Sequence, residues 1–374
     1  RYSSKVAVDY TLKKYNIPYY IDNLTIRNNS TLFIESNCEI YLTTSTPITV
    51  GSSSTSKGTL IASNVYWKGI TSSDSRIYFK NQCGTGTLTN CIFDNTYLYI
   101  ENNDATVSNS TFKGVGYPVI LKDGAIINLD NVIYDTDVLY PGLCYQGTIN
   151  KNLTLTKKYS PYYINGLTIR DNAVLSIEPD TKIYFPTNSG INIGYSSSSK
   201  GNLIAESVDF IGLSSSDALI QVLYNSTAQI GKCLFNNVYL NIDNSSPEIR
   251  NCRFTKDYYA IVIRNNSNPT IIYNDFYNNN TAVKNYSTST INAINNFWGE
   301  PSGPSNANNP NGIGQKIDGL VDFIPFSQTP YNGSILLSII QNEIDFGEGV
   351  IGSYIEKSIK LITSKGSVDL FISK

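Results

Sequence analysis

An internal duplication is the feature that most limits what this chain can fold into. Residues 18–42 return as residues 161–185, an offset of 143 with 14 identities in 25 aligned positions. The same offset relates the Gly/Ser-rich segment that begins at Gly51 to the one that begins at Gly194. Self-similarity at a fixed offset is typical of repeat architectures, in which each unit packs on its neighbour. The chain therefore contains one structural unit twice.

A shorter period of 19 to 22 residues lies inside each unit. Six phenylalanines recur at this spacing: Phe93, Phe112, Phe235, Phe254, Phe276 and Phe297. Small or hydrogen-bonding residues stand two positions before them: Cys91, Ser110, Cys233, Cys252, Asn274 and Asn295. Apolar residues alternate with polar ones beyond each phenylalanine, which indicates strands. We expect each period to be one coil of a parallel β-solenoid, with an internal aromatic ladder and a small polar one.

The segments that begin and end the repeated region resemble those of a known family. Each unit starts with an LTI…L.IE pattern, a Gly/Ser-rich turn and G.LIA, and residues 295–326 read NNFWGEPSGPSNANNPNGIGQKIDGLVDFIPF. These motifs resemble right-handed parallel β-helix repeat proteins of bacterial and archaeal surfaces, over about residues 10–331. The resemblance implies an all-β, right-handed parallel β-helix. Polysaccharide lyases, glycoside hydrolases, adhesins and inert scaffolds share that fold, so it does not select an activity.

The pattern changes at residue 333. Residues 333–374, with their IDFG…VG spacing, resemble the start of an immunoglobulin-like domain of the choice-of-anchor or hydin-like type. A sandwich of this class needs about seven strands over about 100 residues, so the resemblance implies an incomplete one. We therefore expect three regions: β-helix unit 1 with an N-terminal strand (1–148), β-helix unit 2 with the closing NNFWG cap (149–332), and a partial sandwich (333–374).

Composition excludes several functions. The chain has no histidine, which removes Ser-His and Cys-His nucleophiles and zinc sites that need histidine. Its 28 Lys+Arg and 30 Asp+Glu are dispersed, so we expect no nucleic-acid partner. No apolar run approaches the roughly 18 residues of a membrane span, which argues against membrane insertion. The composition favours a secreted, cell-surface protein, because the charge is low and the chain has 28 tyrosines and Ser/Thr/Asn tracts. Methionine is absent, so we expect Arg1 to follow a removed leader.

Catalysis without histidine would need paired carboxylates or bound calcium. Acidic residues do cluster, but their spacings favour turns between coils: Asp130, Asp135 and Asp137; Glu101 with Asp104; Asp257 with Asp275. No Asp-x-Asp-x-Asp-Gly calcium loop is present. We therefore predict no catalytic residue, no metal and no cofactor, and keep polysaccharide cleavage as the residual enzymatic alternative.

Six cysteines lack any Cys-x-x-Cys pair, which makes a zinc site improbable. Cys233 and Cys252 occupy equivalent places on successive coils, where a strand spacing of about 4.8 Å would permit a disulfide. Cys91 is followed on its next coil by Ser110, which favours small buried ladder residues over a bridge. We expect Trp67 and Trp298 to close the coils against the cap.

Outward-facing tyrosines suggest a binding surface. If Phe93 and Phe235 point inward, Tyr97, Tyr99 and Tyr239 face solvent, and we expect Tyr258 to take the place of Tyr239 on the next coil. Tyrosines on a flat sheet face could lie against sugar rings. The alternative is that they are good strand formers on a half-solvated face.

The N-terminal residues bear on assembly. Apolar and polar residues alternate over residues 6–12, which is typical of a half-buried strand. If this strand is loose and the sandwich of residues 333–374 is incomplete, residues 1–12 of one copy could add to the sandwich of another, which is donor-strand assembly. Capping of the first coil is the simpler alternative.

We expect a non-catalytic extracellular scaffold or adhesion module, which could form part of a surface filament or layer. A polysaccharide-binding adhesin and a polysaccharide lyase or glycoside hydrolase are the alternatives.

Overall fold

The computed structural model describes residues 2–70, 74–214 and 218–331. This part of the chain is a parallel β-solenoid of about 13 turns of the right-handed type, which confirms the predicted all-β solenoid. Its helical content is a single 3-10 turn at Lys157–Tyr159. The predicted immunoglobulin-like segment, 333–374, lies outside the described residues.

The first repeat forms strands β1 (Tyr2–Val6), β2 (Tyr10–Leu12), β3 (Tyr19–Ile26), β4 (Ser30–Ile34), β5 (Glu39–Leu42), β6 (Ile48–Val50), β7 (Gly58–Ser63), β8 (Tyr66–Gly69), β9 (Ser75–Phe79), β10 (Gly84–Thr89), β11 (Ile92–Asp94), β12 (Thr96–Glu101), β13 (Asp104–Ser108), β14 (Thr111–Lys113), β15 (Val119–Lys122), β16 (Ile126–Asp130), β17 (Ile133–Tyr134) and β18 (Leu143–Ile149). The second forms β19 (Leu153–Leu155), β20 (Tyr162–Ile169), β21 (Val174–Ile177), β22 (Lys182–Phe185), β23 (Gly190–Ile193), β24 (Asn202–Glu206), β25 (Asp209–Gly212), β26 (Leu219–Leu223), β27 (Thr227–Gly231), β28 (Leu234–Asn236), β29 (Tyr239–Asp243), β30 (Glu248–Arg250), β31 (Arg253–Thr255), β32 (Tyr259–Arg264), β33 (Thr270–Ile272), β34 (Asp275–Tyr277), β35 (Thr281–Asn285), β36 (Ile291–Asn292), β37 (Pro304–Ser305), β38 (Gly314–Asp318) and β39 (Val321–Asp322).

Each coil contributes strands to three faces. A 25-stranded sheet runs along two of them; β11 and β28 lie on its first face, and β12 and β29 on its second. The third face has a six-stranded sheet that ends at β16 and an eight-stranded sheet that begins at β19. Side chains alternate between core and solvent along the strands, as in β12, where every second residue is buried. Asparagines with positive φ, such as Asn95 (φ 48°) and Asn237 (φ 59°), turn the corners, because asparagine tolerates left-handed backbone.

An aromatic ladder fills the core beneath the first face. Phe235 stacks on Phe254 at 4.5 Å between ring centroids, and Phe254 stacks on Phe276 at 5.2 Å. The next ring is Trp298, at 4.9 Å from Phe276, so the assignment of Phe297 to this ladder is wrong by one residue. The reason is coil length, since Phe254, Phe276 and Trp298 are 22 positions apart.

Trp67 is also placed differently from our expectation. Its ring lies 6.3 Å from that of Phe93, and β8 pairs with β5 on one side and β11 on the other. Trp67 is therefore an internal member of the aromatic ladder and does not close an end of the solenoid.

The predicted polar ladder forms beside the aromatic one. The Cys252 amide donates to Asn274 Oδ1 at 2.8 Å, and the Asn274 amide donates to Asn296 Oδ1 at 2.8 Å. The last member is Asn296, not Asn295, because it shares the one-residue shift of Trp298. All six cysteines are free and buried, so Cys233 and Cys252 are ladder residues rather than a disulfide.

The two repeats meet at β18. Its residues Leu143–Gln146 pair with β15 on the second face of the first repeat, and the whole strand pairs with β20. The expected boundary between residues 148 and 149 falls inside this strand. Tyr163 of the second repeat forms ring contacts with Tyr140 (5.3 Å) and Tyr117 (5.9 Å) of the first across the join, which we call the seam.

Candidate functional site

Two of the predicted binding tyrosines lie in one polar patch on the second face. Tyr97 and Tyr99 are half-buried on β12 and point outward. The Tyr99 ring lies 5.4 Å from that of Tyr78, edge to face, and the Arg76 guanidinium lies over both rings at 5.1 and 5.4 Å. Gln146 Nε2 donates to the Tyr99 hydroxyl at 3.1 Å. We call these five residues the Tyr97 patch.

A charged network holds the edge of this patch. Glu101 accepts hydrogen bonds from Lys122 Nζ at 2.7 Å and from the Tyr78 hydroxyl. Burial alone would raise the pKa of Glu101, but the bonds from Lys122 and Tyr78 outweigh it and lower that pKa. Glu101 is therefore an ionised anchor for its neighbours, and its oxygens are already engaged.

Tyr239 and Tyr258 lie elsewhere on the surface. Six ladder steps, from β12 to β29, separate Tyr97 from Tyr239, or roughly 30 Å at about 4.8 Å a step. The structure thus divides the four tyrosines between two surfaces, each present in one repeat.

Tyr258 does not take the place of Tyr239 on the next coil. Leu240 pairs with Ile261, so the position after Tyr239 on the ladder is that of Ala260. Ile261 follows Phe254 by seven positions, whereas Leu240 follows Phe235 by five. Tyr258 is exposed on this longer corner, and Tyr258 and Tyr239 line one recess.

The recess has a volume of about 290 Å³, and we call it the Asp257 recess. It is lined by Ala218, Asn237, Tyr239, Asp257, Tyr258, Tyr259, Val262 and Arg264. Asp257 is 8 % exposed, and its Oδ2 has no hydrogen-bond partner among the described residues. Burial raises the pKa of this carboxyl to about 8. The recess therefore combines a buried acid with aromatic side chains.

Sequence reasoning noted Asp257 only as one of several turn acids. Its burial could have been read from the ladder, because Asp257 is the third residue after Phe254, and the third residue after Phe235 is the buried Val238. The acids Asp130, Asp135 and Asp137, by contrast, are exposed near corners. Within residues 2–70, 74–214 and 218–331, no three Cys, Asp or Glu side chains are grouped so that they could hold a metal ion.

In the same described ranges, no helix is long and apolar enough to span a membrane. Comparisons with protein-family models, with curated proteins and with solved structures found no match to this chain.

Proposed function

We propose that this chain is a non-catalytic structural protein of the cell exterior, a rigid spacer or adhesion module. The observation that supports this most is continuity: about 13 coils stack with one sheet running along two faces. At about 4.8 Å a coil the stack is roughly 60 Å long. A solenoid of this kind gains length by adding coils that each bury the apolar edge of the last, which suits a spacer.

The proposal is tested by shape, activity and location together. Small-angle scattering should give an elongated particle with one dimension of at least roughly 60 Å. Incubation with a panel of polysaccharides, with and without calcium, should release neither unsaturated nor reducing ends. Antibodies should label intact cells of the source. Product release from any polysaccharide, or labelling only after permeabilisation, would refute the proposal.

Polysaccharide binding is the second candidate function, supported by the outward rings of the Tyr97 patch and the Asp257 recess. Tyrosine rings bury the apolar faces of sugars while hydroxyl groups hydrogen-bond. Because Tyr97 and Tyr239 lie roughly 30 Å apart, a short oligosaccharide would contact one and a long chain could contact both.

This candidate predicts retention on insoluble glycans that Tyr97→Ala and Tyr239→Ala together abolish. The single variants separate the two surfaces, since each should weaken retention while the other surface remains. Tyr195→Ala, which removes an exposed tyrosine outside both surfaces, is the control. Retention of the double variant at the wild-type level would exclude this function.

A further inference from the structure

Asp257 occupies a position where the fold does not require an acid. On four other coils, the third residue after the ladder phenylalanine is buried and is not an acid: Thr96, Val115, Val238 and Asn279. Asn279 satisfies this position by donating from Nδ2 to the carbonyl oxygen of Phe254 at 3.2 Å. Asp257 Oδ2 has no such partner among the described residues, so Asp257 lowers the stability of the fold where valine or asparagine would not.

The space beside Asp257 results from unequal corners. The corner after Phe254 is two residues longer than the corner after Phe235, so Tyr258 and Tyr259 project beyond the shorter corner that leads to Tyr239. The recess of about 290 Å³ lies between the two corners, and Asp257 lines it. The unpartnered acid is thus next to a cavity that can hold a small molecule.

Three of the eight residues that line the recess are tyrosines. The Tyr258 and Tyr259 rings are perpendicular, with centroids 4.7 Å apart, and Tyr258 is 68 % exposed. Tyr239 lines the recess as well. Aromatic ring faces carry negative electrostatic potential and attract cations.

Among the residues that the structure describes, no lysine or arginine donates a hydrogen bond to Asp257 Oδ2. Arg264 lies on the rim, but its Nε donates to Asn241 Oδ1 at 3.2 Å and its guanidinium lies 4.8 Å from the centre of the Tyr286 ring. Burial is the cause of the raised pKa of Asp257, with no contribution from a neighbouring cation. The recess therefore offers a carboxyl group and ring faces, and the one cation among its lining residues, Arg264, is engaged with Asn241 and Tyr286.

We propose that the Asp257 recess binds the ammonium group of a small organic cation, which pairs with the Asp257 carboxylate and lies against the Tyr258 and Tyr259 rings. Carboxylate and aromatic rings are the groups that recognise organic ammonium ions. A neutral ligand could fill the space but would leave the carboxylate uncompensated. This site is independent of the scaffold function and would be present in a protein of another role.

Choline is the probe, because its charge does not titrate, and 3,3-dimethylbutan-1-ol is its uncharged counterpart of the same shape. Calorimetric titration of the full chain above the pKa of about 8 should show saturable binding of choline and none of the alcohol. Equal binding of the alcohol, or no saturable binding of choline, would overturn the proposal.

Two variants place the binding at this recess. Asp257→Asn keeps the shape and can donate as Asn279 does, so the fold is retained, and choline affinity should fall by at least about tenfold. Tyr258→Ala should weaken binding by about threefold or more. Tyr195→Ala, at a 63 % exposed tyrosine outside the recess, should leave it unchanged. Undiminished choline binding by Asp257→Asn would show that Asp257 has a structural role only.

Discussion

At the residue scale, equivalent positions on successive coils hold different side chains, as Val238, Asp257 and Asn279 show. Asn279 completes its hydrogen bonds with a backbone carbonyl, and Val238 has no polar atoms to satisfy. Asp257 differs from both, because its Oδ2 is buried without a partner among the described residues. A buried polar atom without a hydrogen-bond partner, at a position where neighbouring coils have none, lowers the stability of the fold and is typical of a functional position.

The stability of the chain should therefore depend on the charge of Asp257. Its pKa is about 8 in the fold and about 4 when unfolded, so between these values the folded chain holds a proton that the unfolded chain has released. The free energy of unfolding should fall as pH rises through this window, by at most about 1.4 kcal/mol per pH unit. Denaturant titrations of wild type and Asp257→Asn, which lacks this group, measure the difference; parallel pH profiles would contradict the prediction.

The cysteines should be inert in the folded chain. All six are free and buried, and burial raises the pKa of Cys144 to about 12 and that of Cys91 above its usual value. Since the thiolate is the reactive form, an aromatic disulfide reagent should find no reactive thiol in the native protein and all six after denaturation. Fewer than six after denaturation without reductant would reveal a disulfide.

At the element scale, the inner side chains link each coil to the next. Asn274 accepts from the Cys252 amide at 2.8 Å and donates from Nδ2 to the Ile249 carbonyl at 3.0 Å. Parallel strands of three residues, such as β31 and β34, have few backbone hydrogen bonds of their own. The buried ladders therefore determine the register in which such short strands stack.

Asn274→Ala should destabilise the solenoid strongly. The substitution leaves the Cys252 amide and the Ile249 carbonyl without these buried partners, at a cost of about 1–3 kcal/mol for each group. Asn308→Ala removes an asparagine from an exposed turn and should change stability by less than about 0.5 kcal/mol. Chemical denaturation measures both variants, and equal effects would show that the polar ladder does not stabilise the fold.

At the scale of the whole molecule, the duplication produced one solenoid rather than two separate ones. The 25-stranded sheet continues through β18, while the third-face sheet is interrupted between β16 and β19. The repeats are thus coupled through two continuous faces of the sheet and through the tyrosine contacts of the seam. Assembly between copies through residues 1–12 stays a prediction, and the other expected participant, 333–374, lies outside the described residues.

The seam should decide whether the repeats unfold together. Tyr163→Ala removes the ring contacts with Tyr117 and Tyr140 across the seam, together with the contact to Tyr184, and should separate the single calorimetric transition of the wild type into two, because neighbouring coils are coupled only through their interfaces. Tyr20→Ala is the matched control, since Tyr20 is the counterpart of Tyr163 in the first repeat and contacts Tyr41 away from the seam. Tyr20→Ala should leave a single calorimetric transition. Two transitions in the wild type would contradict this prediction.

The sequence by itself determined the strands, the repeat and the inward phenylalanines, because alternation and internal similarity are properties of one stretch of chain. Only the tertiary structure decided how one coil aligns with the next, since alignment depends on the length of each corner and on which side chains then meet in the core. Corner and coil length made Trp298 rather than Phe297 the last ladder ring, set Ala260 rather than Tyr258 after Tyr239, and buried Asp257 beside an aromatic recess. The fold of the described residues was therefore predictable from local pattern, whereas the candidate site was not, because a recess forms from differences between neighbouring coils.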